Sequence, residues 1–210
     1  MNSANEFLSQ FFELNTPVAG PGRWCFMNAR KTLMRHNIPD AGKLLKLFPR
    51  LNRSEKFVAI CVFSHLRMRD SIPRLISELA STDSVISGAA AGALVSIGGR
   101  KVELLLIQTL GRCRGAAQEL VVVSALANLI DIQLADRVAK ELGSILADTS
   151  KPPDLRAMAA RGLGSASRYL DHRTRCHRGA IEVLHSALKD RSRDIRDSAR
   201  AALRRAAQKR

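Results

Sequence analysis

Arg193, Arg196, Arg200 and Arg204 recur at intervals of three and four, the spacing that aligns residues along one side of a helix. A guanidinium presents a planar fork of donors that suits phosphate oxygens, so this stripe is a candidate for phosphate or partner contact. The bland reading is a solvated face whose charges are met by Asp190, Asp194 and Asp197 nearby. Arg168, Arg173, Arg175 and Arg178 form a second basic cluster, interleaved with Tyr169, His172, Cys176 and His177. His172, Cys176 and His177 are zinc-type donors. A fourth ligand is not near them in sequence, and the arginines around them oppose a cation, so no metal and no cofactor is expected. Tyr169 can stack on a base or pack at a helix end.

The other reactive groups are scattered. Cys61 sits in an apolar helical run and reads as core. Cys113, between Arg112 and Arg114, is either a thiol lowered by its basic neighbours or a bare exposed one. Gly20-Pro21-Gly22 is a turn without the lysine and serine that a nucleotide loop requires. The cysteines have no C-x-x-C spacing, which points to a reducing, cytoplasmic setting. Apolar runs such as Leu104 to Ile107 and Leu120 to Val123 are far too short to span a bilayer, so a soluble chain is expected.

The elements that must position these residues come from a chain of 210 residues, 46% hydrophobic and 25% charged, the balance of a folded globular protein. Basic residues number 34 against 19 acidic ones, for a net charge of +15, and an excess of this size draws polyanions or acidic surfaces. It is uneven along the chain. Residues 1–60 carry nine basic and four acidic groups, 61–150 nine of each, and 151–210 sixteen and six. Most aromatic residues lie before residue 58, so the later core must be aliphatic.

An internal repeat organises that core. Ile86, Ala90, Ala93 and Leu94 set a spacing of i, i+4, i+7 and i+8, which Leu155, Ala159, Gly162 and Leu163 repeat, and Ile195, Ala199, Ala202 and Leu203 repeat again. Val122, Ala125 and Leu126 give a partial copy, and Ala59, Val62 and Phe63 a weaker one. This is one face of a helix, with small residues that let a neighbouring helix approach closely. The anchors Phe63, Leu94, Leu126, Leu163 and Leu203 are 31, 32, 37 and 40 residues apart, the length of a helical hairpin with its turns. Second helices are predicted around 72–80, 101–110, 133–146 and 178–188. The loop 168–178 lengthens the fourth repeat. Phe7, Leu8, Phe11, Phe12 and Leu14 suggest a short amphipathic helix, with further helices about 23–36 and 40–49.

The copies at 83–98, 153–166 and 190–206 resemble HEAT-like repeats, in particular the short Ala-rich type first noted in phycobilisome-lyase-related proteins. Asp83, Ile86, Ala89, Ala90, Ala93, Leu94, Ile97 and Gly98 carry the likeness, as do Leu155, Arg156, Ala159, Ala160, Leu163 and Gly164, and Asp190, Ile195, Arg196, Ala199, Ala202 and Leu203. The resemblance implies an all-α fold, a right-handed α-solenoid of about five hairpins over 53–210 as one continuous domain, with residues 1–52 as an N-terminal helical cap. It also implies a structural, inter-repeat contact for Arg156 and Arg196. Two enzymes built on such repeats lack their signatures here. The His-Glu pairs with which deoxyhypusine hydroxylases bind iron are missing, since none of His36, His65, His172, His177 or His185 is followed by Glu. Alkylpurine DNA glycosylases line their cleft with tryptophans and an Asp, whereas Trp24 lies in the cap and Asp131 or Asp136 would have to act alone.

Three readings follow. The first is a non-enzymatic scaffold that binds a protein partner through its concave face. The second is sequence-nonspecific nucleic-acid binding through Arg173, Arg175, Arg178, Arg193, Arg196, Arg200 and Arg204, with basic groups on one continuous surface. The third is a glycosylase, which requires a cleft carboxylate flanked by aromatic residues.

Overall fold

A computed structural model of the chain describes residues 41–208 and contains no strand among them. The helices expected around Phe7 to Leu14 and over 23–36 lie outside the described residues, as do Trp24, Cys25 and His36. The chain divides into two compact units, Met1–Ile97 and Gly98–Arg210.

In the first unit, α1 (Ala41–Leu47) runs into a 3-10 turn at Phe48–Arg50, followed by α2 (Arg53–His65), α3 (Ile72–Glu78) and α4 (Ser84–Ile97). Local chemistry sets these starts. Asn52 opens α2 with a capping box: its side-chain oxygen accepts from the Glu55 amide at 3.0 Å, and its own amide donates to the Glu55 carboxylate at 2.8 Å. Pro73 sits in the first turn of α3, where a missing N–H costs nothing. Asp83 accepts from the Val85 amide at 2.9 Å to open α4. The helix stops at Gly98 and Gly99, whose φ values of 66° and 89° lie in the left-handed region that glycine alone enters cheaply. The α2 face packs on α4, with Val62, Phe63, Ala90 and Leu94 sealed from solvent, and Phe48 lies against Phe63 at a ring distance of 5.5 Å.

The second unit contains α5 (Arg100–Leu110), α6 (Ala116–Asn128), α7 (Ala135–Ala147), α8 (Pro153–Ser167), α9 (Arg175–Ala187) and α10 (Arg193–Ala207). First helices of successive hairpins pack side by side, α6 on α8 and α8 on α10, while α7 packs on α9 behind them. The repeat anchors Leu126 and Leu163 are fully buried, but Leu203 is half-buried because it flanks the open side of α10. The small residues of α8 have a measurable purpose. A methyl group added at Gly162 would come within 2.6 Å of the Leu142 side chain, and one at Gly164 within 2.5 Å of the Ala202 Cα.

A regularity appears in the connections. The turns leading from each hairpin to the next, 79–83, 111–115, 148–152 and 188–192, each have five residues. The turns inside the hairpins of the second unit are longer and unequal: 129–134 join α6 to α7, and 168–174 join α8 to α9. Ion pairs about one repeat apart tie a residue of a constant turn to the first helix of a neighbouring hairpin. Arg53 pairs with Asp83, Lys151 with Glu119 at 2.7 Å, and Arg156 with Asp190 at 2.6 Å. The nearly buried Arg156 also donates to the Leu146 carbonyl at 3.0 Å, satisfying one of the free carbonyls that end α7. This is the structural contact that the resemblance implied for Arg156.

Gly164→Ala should drive the new methyl into the α10 backbone and cost about 1–3 kcal/mol, as overpacking does. Gly143→Ala, whose Cβ meets nothing within 4 Å, should instead gain up to about 1 kcal/mol from helix propensity. Urea denaturation of the two variants checks both signs.

Candidate functional site

Thr174 fixes where the second basic cluster sits. Its hydroxyl accepts from the His177 amide at 3.2 Å and starts α9 at Arg175. The sequence placed 168–178 in a loop, so Arg175, Cys176, His177 and Arg178 are helical where a loop was expected; an N-cap at Thr174 shortens that loop. Cys176 then donates to the Asp136 carbonyl at 3.4 Å, which sets the first turn of α9 beside the first turn of α7. The two helices run parallel, and the short antiparallel hairpins bring the ends of α8 and α10 to the same end of the unit.

That end is strongly basic. It gathers Arg168, Arg173, Arg175 and Arg178 with Arg204, and adds Arg137, Lys140 and Arg205, which the sequence reading did not single out. All of these are exposed, and none forms an ion pair with a described residue. The carboxylates there are Asp131, Asp136 and Asp171. Asp131 and Asp171 are occupied with backbone amides, accepting from Gln133 at 2.8 Å and Arg173 at 2.9 Å.

The predicted stripe on α10 is divided. Arg193 and Arg200 share Asp197, at 3.5 and 2.6 Å. Arg196 turns back to the Asp190 and Arg191 carbonyls, each at 2.8 Å, and closes its own turn. Only Arg204 of the four reaches the basic end. Of the three Asp residues beside the stripe, Asp197 meets it through its side chain, while the Asp190 carboxylate serves Arg156.

Two imidazoles lie within this end. His172 Nδ1 and His177 Nε2 are 3.0 Å apart with the rings edge to face, so one proton sits between them. Burial and the neighbouring His172 push the His177 pKa down, while Asp171 pulls it up more weakly.

Beside the basic end, a groove of about 990 Å3 runs between α7 and α9. Ala139, Gly143, Ala147, Gly179, Ala180 and Val183 form its walls, and Asp136, Arg137, Lys140, Arg175 and Cys176 stand at one mouth. A separate hollow of about 450 Å3, sharing only Ala147 and Val183 with the groove, is lined by Leu146 and Ala187 together with Arg156, Glu182, Lys189 and Asp190. No aromatic residue lines either part, so the aromatic-flanked carboxylate that a glycosylase reading requires is not formed there.

Two further groups differ from expectation. Cys113 does not have a lowered pKa: burial, and then Glu119, push it up, and the thiol donates to the Thr109 carbonyl at 3.3 Å. Glu103 is wholly buried at the start of α5. One carboxylate oxygen accepts from the Asp131 amide at 2.9 Å, the other has no partner, and burial pushes its pKa up to about 7. Nothing in its sequence position marks it out, because its burial depends on the α6–α7 turn folding over it. Among the described residues no three His, Cys, Asp or Glu side chains are grouped to hold a metal, and no helix is long and apolar enough to cross a membrane.

No protein family and no curated protein matches the chain. Its structure is similar to that of human deoxyhypusine hydroxylase in complex with glycerol, with a TM-score of 0.50 and 18% identity, over 96% of this chain and 74% of that one. The likeness shows the fold, an all-α array of HEAT-like helical repeats of the α-solenoid class. It also overturns the expectation of a non-enzymatic scaffold. That expectation took a repeat array without a catalytic motif to be non-catalytic, whereas this similar array is an enzyme, and the architecture itself carries no such implication.

The Glu103 carboxyl gives the fold a pH signature. Between the ordinary glutamate range and about pH 7 the folded chain keeps a proton that the unfolded chain has released, so its contribution to stability falls as pH rises through that window. Glu103→Gln should remove this slope and raise the melting temperature by a few degrees at pH 8 while changing little at pH 4.5, read by thermal unfolding at both pH values.

Proposed function

We propose that this chain binds nucleic acid without reading its sequence, through the basic end of the second unit. One observation carries the reading: eight exposed cations without an ion pair, Arg137, Lys140, Arg168, Arg173, Arg175, Arg178, Arg204 and Arg205, lie on the helix ends and the turn at this end, a denser group than the other unpaired cations of the unit, among them Arg112, Arg114, Lys189 and Arg191 in the five-residue turns, while Lys151, Arg156, Arg193 and Arg200 are matched by carboxylates. Clustered guanidiniums without counter-charges repel one another, and a phosphate backbone relieves that repulsion while releasing its own counterions. Arg168, Arg173, Arg175, Arg178 and Arg204 supply the phosphate contacts in this proposal. Arg193 and Arg200 contribute less because Asp197 already neutralises them, and Arg196 because its guanidinium is held by carbonyls. Such contacts fix position on the strand and carry no base information.

Within the HEAT-like fold, we assign the Ala-rich copies to the short type first noted in phycobilisome-lyase-related proteins, on the residues of α4, α8 and α10 quoted above. The spacing of the cysteines supports a reducing, cytoplasmic setting for the same activity.

Fluorescence polarisation with random duplex DNA, single-stranded DNA and RNA at two salt concentrations tests the proposal. Changing Arg173, Arg175, Arg178 and Arg204 together to Gln should weaken duplex binding at least tenfold and flatten the salt dependence by about 3–4 in log–log slope. The pair Arg193→Gln and Arg200→Gln should change binding less than threefold. Absence of binding at low salt, or equal losses in the two variants, would overturn the reading.

The histidine pair adds a pH dependence. Bound phosphate favours charging the His177 ring, so affinity should rise as pH falls from 7 to 5.5, and His177→Gln should flatten that rise in the same titration.

A further inference from the structure

The groove between α7 and α9 differs from the basic end in its chemistry. Its own charged residues are Arg137, Lys140 and Arg175, which stand without an ion pair near Asp136 in the first two turns of α7 and α9, and the rest of its lining is Ala, Gly and Val with Ser144 and Cys176. A nucleic-acid strand carries phosphate along its whole length and does not suit a cavity charged at one end only. A molecule with a single anionic head and an apolar tail does. We propose that this groove binds a single-chain anionic amphiphile, such as a fatty acid, with its head at Arg137, Lys140 and Arg175 and its tail along Gly143 and Gly179.

Three observations support the assignment. The groove offers about 990 Å3 along an open furrow, and its mostly apolar walls with a few convergent charges are the usual composition of a small-molecule site. A Cβ at Gly143 or Gly179 would meet nothing within 4 Å, so the space above both glycines is open to a tail. The helices run parallel for 13 residues each, about 20 Å, with both positive dipole ends at the mouth that holds the cations. A head group placed there meets three side-chain charges and two helix ends, while the apolar tail leaves water along the walls. The source we commit to is a free amphiphile, because a bilayer surface cannot enter a furrow between two adjacent helices.

Calorimetric titration with dodecanoate below its micelle concentration tests this on the full chain. Dodecanoate should bind saturably with one site per chain, and dodecyltrimethylammonium, with the same tail and opposite charge, at least tenfold more weakly. The double variant Gly143→Leu, Gly179→Leu should lose dodecanoate at least tenfold while its circular dichroism and its duplex-DNA affinity stay unchanged. Lys140→Gln with Arg175→Gln should weaken dodecanoate at least fivefold and leave the neutral alcohol dodecanol unaffected. Equal binding of the two charged amphiphiles, non-saturating uptake, or full affinity in the filled variant would overturn the proposal. So would sedimentation with phosphatidylglycerol vesicles that filling the groove does not reduce, combined with no binding of free dodecanoate. Unchanged DNA binding in any of these cases leaves the nucleic-acid reading standing separately.

Discussion

The close approach of α8 to its neighbours is the constraint on which the second unit depends. Gly162 and Gly164 leave no room for a methyl group, so α8 lies against Leu142 of α7 and against the α10 backbone at Ala202. Helices that pack this tightly exclude water from a core containing few large side chains. The stability that aromatic residues supply elsewhere is here supplied by dense packing among Ala, Gly and Leu. The same closeness places α7 and α9 side by side behind α8, and so the furrow between them exists because the front layer is tight.

Charge is arranged in two ways on this frame. Where hairpin follows hairpin, Arg156 and Lys151 are committed to carboxylates one repeat away and to the carbonyls that end a helix. Partly buried pairs of this kind owe their value to fixing geometry, since desolvation offsets much of their attraction. Other cations are exposed and without an ion pair, most densely at the end where α7 and α9 begin, which costs self-repulsion in the isolated chain. A fold keeps the first kind of charge for its own register. The second kind is available to something outside it.

Much of this was legible in the sequence because helical packing is local and periodic. The i, i+4, i+7, i+8 spacing located the first helices. The basic residues of the end cluster were also visible, though not their division. Nothing in the order of residues says that Arg196 folds back on carbonyls while Arg204 stays free, because that depends on which turn each guanidinium can reach. Glu103 and the groove were hidden for the same reason. Burial of a carboxyl by a turn 28 residues away, and empty space above Gly143 and Gly179, are products of tertiary arrangement. For Cys113 the sequence offered a lowered or a bare exposed thiol, whereas burial and Glu119, which its sequence neighbours do not reveal, push its pKa up.

Within the second unit the five-residue turns 111–115, 148–152 and 188–192 recur at one end, while those at the other, 129–134 and 168–174, differ in length. Length variation is therefore confined to a single edge of the second unit, and the register of its successive hairpins is insulated from it. For protein engineering this makes residues 171–173 a natural graft point. A loop inserted there lengthens an edge already variable within the chain, whereas the same insertion at 148–152 would separate Lys151 from Glu119 and Arg156 from the Leu146 carbonyl, uncoupling one hairpin from the next.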